Sequence, residues 1–263
     1  MTRHAMIAKL ALCLAGFLPF QAAHAQASND VVKIGVINDR SGVFADVTGE
    51  GSVIAARLAI ADFGGKVLGR PVELATADHQ NKADVAAGTV RRWIDVDGVD
   101  AVVDGGSSAA GLVIQDIARE RKRIAMFSGP ATSDLTGKSC SPTGFHWTYD
   151  TYALAASTAR ALVAQGADTW FFITTDYAFG HALERDATRF IVASGGKVVG
   201  GVRHPLNTAD FSSFILQAQT SKAKIVGLAN SGDDALNAIK QAAEFGVVAG
   251  GQKLGGLLLL INQ

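Results

Sequence analysis

Eight short apolar runs, separated by segments of helical periodicity, leave this chain few folds to choose from. The runs are VVKIGVIN (31–38), PVELATAD (71–78), VDAVVDG (99–105), RIAMFSG (123–129), DTWFFITTD (168–176), GKVVGGVRH (196–204), AKIVGLAN (223–230) and GGLLLLIN (255–262). All are strand-sized, and their continuous apolar centres fit strands covered on both faces. Helical patterns occupy 50–63, 82–96, 108–121, 151–165, 179–194, 210–221 and 233–245. This alternation predicts an α/β architecture of parallel sheets flanked by helices.

Spacing within the helical segments separates core from surface. In 108–121, Leu112, Ile114, Ile117 and Ala118 face a core, and Arg119–Lys122 form a solvated, cationic helix end. Phe211, Phe214, Ile215 and Ala218 recur at helical spacing and are expected to pack, as are Trp170, Phe171 and Phe172 within their strand.

The rhythm breaks once. Residues 129–150, GPATSDLTGKSCSPTGFHWTYD, carry no long periodic segment and mark a crossing between two lobes. The expected division is a first lobe at 26–140 and a second at 141–263, the second incomplete because its final strand has no covering helix after it. Ahead of both, residues 1–25 combine Arg3 and Lys9, the eleven-residue run LALCLAGFLPF and a small-residue end at Ala23 and Ala25, the pattern of a cleavable secretory signal. An apolar run of that length is shorter than the roughly 20 residues a bilayer span needs.

Removing Arg3 and Lys9 from 24 basic and 24 acidic side chains leaves 22 against 24, a net charge near −2. A chain without a basic field is not built to hold nucleic acid. Cys13 departs with the signal, which leaves Cys140 alone, unable to close an internal disulfide or a multi-thiolate metal site. With no HExxH motif, no cofactor or metal is expected, and His79 reads as a loop residue.

Chemistry concentrates where consecutive strands end in small polar loops, DGGSSAAG at 104–111 and SGPATSDLTG at 128–137. In open parallel sheets, ligands bind outside the carboxyl ends of the strands. A phosphate would require GxGxxG or a lysine-bearing P-loop, and neither is present. Ser107 lies in an approximate nucleophile elbow, but acyl transfer also needs an acid and a histidine within reach, and His181 and His204 fall on a helix and at a strand end. A carboxylate needs only hydroxyls, loop amides and a helix N-terminus aimed at one place. Ser107, Ser108 and Thr132 offer those hydroxyls, with helix capping by Ser108 the structural alternative.

Together, VKIGVINDRSGVFADVTGEG, TADHQNKAD, GGSSAAG, SGPATSDLTG and TTDYAFGHALERD resemble the periplasmic substrate-binding proteins of ABC importers, in the branched-chain amino acid receptor family with the type I fold. The likeness runs from about Val31 to Ile261 and rests on the order of the segments rather than on one motif. It implies two α/β lobes that close by hinge motion on a small carboxylate: a branched-chain or other amino acid, or an aromatic acid. It implies that Ser107, Ser108, Ala131 and Thr132 hold the carboxylate, that Tyr177 and Phe179 supply an aromatic wall, and that Tyr149, Tyr152 and Asp233 lie near the cleft. A periplasmic monomer that delivers its ligand to a membrane permease, without catalysis, is the implied role. Two rivals remain: a secreted serine hydrolase using Ser107, and a ligand-sensing lobe of a signalling receptor.

Overall fold

The computed structural model describes residues 30–260, so the expected signal at 1–25 lies outside the described residues. The first lobe comprises β1 (Val32–Asn38), α1 (Ala45–Asp62), β2 (Lys66–Val67), β3 (Arg70–Asp78), α2 (Ala83–Asp95), β4 (Ala101–Asp104), α3 (Ser108–Glu120), β5 (Ile124–Phe127), a 3-10 turn at Ser133–Leu135 and β6 (Gly144–His146). The second comprises α4 (Thr151–Ala164), β7 (Thr169–Thr175), α5 (Ala178–Ala193), β8 (Lys197–His204), α6 (Ser212–Thr220), β9 (Ile225–Ala229), α7 (Gly232–Glu244) and β10 (Lys253–Gly256).

Both sheets follow one plan. The first runs β2-β3-β1-β4-β5-β6 and the second β10-β9-β7-β8, all parallel except the β2–β3 hairpin. From β1 the chain steps to β3 on one side and then returns to β4 on the other; from β7 it steps to β8 and then returns to β9. Each lobe therefore has a point where the winding direction reverses, flanked by loops at the carboxyl ends of its first and third crossover-connected strands. Adjacent loops diverge at such a point and leave a crevice.

Core packing follows the sequence periodicity. Ile37, Val90, Trp93, Ile114 and Phe127 centre the first lobe. Trp170, Phe172, Leu183 and Phe190 fill one face of the second sheet, and Phe171, Ile173, Phe211, Ile215 and Val226 the other. Burying each such side chain contributes about 1.5 to 3 kcal/mol.

Coverage differs from strand to strand, and β8 alternates in exposure in the second sheet as β5 does in the first. Every residue of β9 is buried, whereas β5 alternates, with Ile124 and Met126 exposed opposite buried Ala125 and Phe127. Two-sided burial, expected for all the strands, thus fails at β5 and β8 among the described residues.

Three local differences from the sequence reading have simple causes. Strands β2 and β6 are too short to show periodicity; β2 is set by a two-residue turn in which Leu68 and Gly69 both take positive φ, 51° and 78°. Because β6 pairs with β5, the first sheet continues past the expected lobe boundary at residue 140. Of the run at 255–262, among the described residues, only Gly255 and Gly256 belong to β10; Leu257, whose N–H still bonds the Leu228 carbonyl, and Leu258 turn their side chains into the second-lobe core. Four leucines in succession satisfy a core in any backbone conformation, so their apolarity does not specify a strand.

Candidate ligand-binding site

The loop after β4 turns sharply, with Asp104, Gly105 and Gly106 all at positive φ (80°, 83° and 63°). An aspartate in that region is strained, and here its carboxylate is anchored by Asn38 Nδ2 at 3.0 Å and by the Ser128 hydroxyl at 3.2 Å. Burial pushes the Asp104 carboxyl above its usual range, opposed by these hydrogen bonds. The loop after β5 presses against it: a Cβ on Gly129 would fall 2.8 Å from Asp104 Oδ1 and 2.9 Å from the Gly106 carbonyl oxygen, so only glycine fits.

The three candidate hydroxyls behave differently. Ser107 is the N-cap of α3, its Oγ accepting from the Ala110 N–H at 3.5 Å. Ser108, expected as the alternative cap, instead joins the two loops: its Oγ accepts from the N–H groups of Ala131 (3.3 Å) and Thr132 (3.2 Å). Thr132 is fully buried and its hydroxyl accepts from the Asp134 N–H at 3.3 Å, capping the 3-10 turn. Thr132 contributes its amide to the arrangement and is not among the residues lining the cavity.

That cavity, about 30 Å³, lies between the lobes at both reversal points. From the first lobe it is lined by Phe44, Val47 and Thr48 after β1, by Gly106, Ser107 and Ser108 after β4, and by Gly129 and Ala131 after β5. Tyr149 enters from the crossing, Tyr177 and Phe179 from the start of α5, Ser231 from the start of α7, and Leu258 and Leu260 from the segment after β10. Phe44 and Tyr177 face each other across the lobes with ring centroids 6.0 Å apart. Burial raises the phenol pKa of Tyr149, and that of Tyr177 well above its ordinary value, so both are neutral donors at neutral pH.

Of the remaining expected residues, Tyr152 lies elsewhere: half-exposed on α4, it packs edge-on against Phe190 at 4.9 Å, with the Arg189 guanidinium over its ring. It follows the N-cap Asp150 by two positions, and the helix turns it away from Tyr149. Asp233 lines a smaller adjoining cavity with Phe44, Asn207, Ser231 and Asp234. Its neighbour Asp234 is the anchored one, accepting the N–H groups of Asn207 (3.2 Å) and Thr208 (2.8 Å). The sequence reading missed Phe44, Val47, Thr48, Ser231 and the two leucines. Phe44, the one ring in the loop after the first strand, was the available signal.

Beside the cavity the lobes are joined by a polar clamp. Asp186 on α5 accepts hydrogen bonds from Ser133 Oγ (2.6 Å) and Thr151 Oγ1 (2.7 Å), while Arg185 reaches Asp134 (2.8 Å) and Ser133 Oγ (2.8 Å).

No imidazole reaches Ser107 among the described hydrogen bonds. His79 contacts the Gly105 carbonyl, His181 pairs with Asp176, and His204 pairs with Thr175 and Asn230. Among the described residues no cluster of three His, Cys, Asp or Glu side chains is placed to hold a metal, and no helix is long and apolar enough to cross a membrane.

Two α/β lobes meet at paired reversal points around this small cavity. The chain belongs to the periplasmic binding protein family, whose model matches residues 31–263. It is similar to a periplasmic binding protein from Burkholderia mallei, at 52% identity and a TM-score of 0.87 over 89% of this chain and 62% of that one. A solute-binding protein of an ABC transporter from Rhodopseudomonas palustris, solved with p-hydroxybenzoic acid, matches at 26% identity and a TM-score of 0.76 over 85% of this chain and 61% of that one. A Leu/Ile/Val-binding protein homolog 6 from Brucella melitensis is 25% identical over 92% of this chain and 62% of its own length. The chain thus spans about 62% of the length of these relatives. The two-lobe parallel α/β fold expected from the sequence is the fold observed.

Proposed function

We propose that this chain forms the solute-capturing portion of a periplasmic receptor that serves an ABC importer, and that its cleft takes a small carboxylate. The observation that carries this reading is the valence of Ser108. A hydroxyl has two lone pairs and one hydrogen; both lone pairs receive backbone N–H groups, so the hydrogen is left to donate. The phenols of Tyr149 and Tyr177 add donors on the facing wall. A surface of donors suits an acceptor, and a carboxylate is the strongest common one.

An aromatic acid fits better than an amino acid. Phe44, Tyr149, Tyr177 and Phe179 supply four rings, and no carboxylate lines the cavity among the described residues to hold an ammonium group. The p-hydroxybenzoate-bound relative supports the same choice. Three or four hydrogen bonds to a charged group contribute about 1.5 to 3 kcal/mol each, against the roughly 8 kcal/mol of micromolar binding. Ordering and closure reduce that gross figure, and ring contacts offset the loss.

A space of 30 Å³ holds about one water, so a benzoate enters only if the lobes separate and re-close around it. Closure is then the state a permease reads, since a ligand favours the form it binds better.

Titration calorimetry and thermal shift against benzoate, p-hydroxybenzoate, leucine and benzamide test the proposal. Dose-dependent stabilisation by the two benzoates and none by neutral benzamide is the expected pattern. Silence across all the carboxylates, or ester turnover lost in Ser107→Ala, overturns it.

A further inference from the structure

His79 is fully buried just after β3, and its ring touches the ligand loop from below. Its Nδ1 accepts the backbone N–H of Asn81 at 3.0 Å. Its Nε2 stands 3.2 Å from the Gly105 carbonyl oxygen. A backbone N–H can only donate and a carbonyl can only accept, so one arrangement satisfies both contacts: lone pair on Nδ1, hydrogen on Nε2, ring neutral.

Two strained turns meet on this one imidazole. Gln80 and Asn81 both hold positive φ (53° and 54°), which aims the Asn81 N–H back at the ring. On the other side Asp104, Gly105 and Gly106 form the left-handed run that delivers Ser107 and Ser108. The fit is tight: a Cβ on Gly106 would fall 2.6 Å from Nε2. Strained backbone persists only when its surroundings over-determine it, and the ring supplies that restraint from beneath.

We infer that His79 is the positioning residue of the ligand loop: as the neutral Nε2–H tautomer it holds the Asp104–Ser107 turn in its binding shape, and protonation unseats the ring at its Asn81 side and so shifts the turn that its Nε2–H still grips. A proton on Nδ1 would face the Asn81 N–H, donor against donor, and break the contact that seats the ring. Burial lowers its pKa and prevails over the groups that favour the protonated form: the Gly105 carbonyl it bonds, and the charged groups facing it, Asp39 just after β1, Asp78 on β3 and Asp104 on β4. The inference rests on the loop being the carboxylate site, and adds that the site's affinity is set by the charge of a residue that never touches the ligand.

Imidazole and backbone ¹H–¹⁵N spectra of the ligand-free chain, recorded from neutral pH into acid, provide the test. The ring is expected as the Nε2–H tautomer at neutral pH, and the Gly106 and Ser107 amides are expected to shift with the His79 midpoint. His79→Gln removes that midpoint from the loop, while His204→Gln leaves it in place. Benzoate affinity falls about tenfold or more across the same midpoint in the unaltered protein, and not in His79→Gln. An Nδ1–H ring at neutral pH, loop amides indifferent to the His79 titration, or a ring that stays neutral until the protein unfolds would each overturn the inference. If benzoate binds at no pH while the loop still follows His79, the ligand assignment fails and the positioning role stands.

Discussion

Phe44, from the loop after β1, and Tyr177, at the start of α5, stand 6.0 Å apart between ring centroids at an angle of 32°, one from each lobe. Tyr177 also contacts Phe179 at 6.1 Å, so the aromatic wall of the second lobe closes directly onto the first. An aromatic pair of this kind contributes about 0.5 to 1.5 kcal/mol beyond the area it buries. Phe44→Ala is therefore expected to weaken benzoate binding about tenfold and to shift the ligand-free molecule toward an open form. Calorimetry reads the first effect, and an increased radius of gyration in solution scattering reads the second.

Ser108 and Ser107 are adjacent but predict different losses. Ser108→Ala leaves the buried N–H groups of Ala131 and Thr132 without acceptors, each costing about 1 to 3 kcal/mol. Ser107→Ala removes a long cap bond of 3.5 Å, so its cost sits near the low end of the 0.5 to 2 kcal/mol range for caps, at about 0.5 kcal/mol. Urea denaturation of the two variants should rank them in that order, and equal losses would argue against the bridging role of Ser108.

The clamp at Asp186 predicts an interlobe effect. Asp186→Ala removes the bonds that the Ser133 and Thr151 hydroxyls donate to it, leaving Ser133 held to α5 by Arg185 alone and Arg185 paired with Asp134 as its one carboxylate. Arg185 is half-exposed, so the lost ion pair adds little and the two hydroxyl bonds set the scale, about 1 to 2 kcal/mol. The expected signature is a lower Tm together with faster amide exchange in the 3-10 turn and at the start of α4.

Acid sensitivity follows from two buried histidines. Burial lowers the pKa of His79 and of His204, the latter against the attraction of Asp234 and Asp176. A histidine lowered on folding binds fewer protons in the native state than in the unfolded chain. Its stabilising contribution is complete above the unfolded value of about 6.5 and is lost as pH falls from there through the folded value. Unfolding free energy measured from pH 7.5 downward should decline below about 6.5, and the decline should be shallower in His204→Gln. A flat profile across that window would contradict the assigned directions.

Much of the architecture was legible because its signals are local. The strand at 168–176 and the helices around Ile114 and Phe211 announce themselves through residues a few positions apart, and the structure buries Trp170, Ile114, Phe211 and Ile215 as that spacing requires. The two serine-bearing loops were legible for a similar reason, since small polar residues after apolar strands have few structural uses.

What remained hidden depends on partners distant in sequence. Whether Ser107 or Ser108 caps the helix turned on a loop more than twenty residues away that takes both lone pairs of Ser108. That Tyr152 turns onto Phe190 is decided by how α4 packs on α5, and that Phe44 meets Tyr177 by how the lobes pack. The leucines at 257–260 carry apolarity but no period, so only the surrounding core could direct two of them inward and set Leu258 and Leu260 at the cavity. Sequence by itself determined most of the longer strands and helices and which loops are polar, because periodicity and composition act over a few residues. Tertiary structure alone decided which lone pairs and hydrogens are left over for a ligand, because hydrogen-bond valence is shared out among groups that meet only after folding.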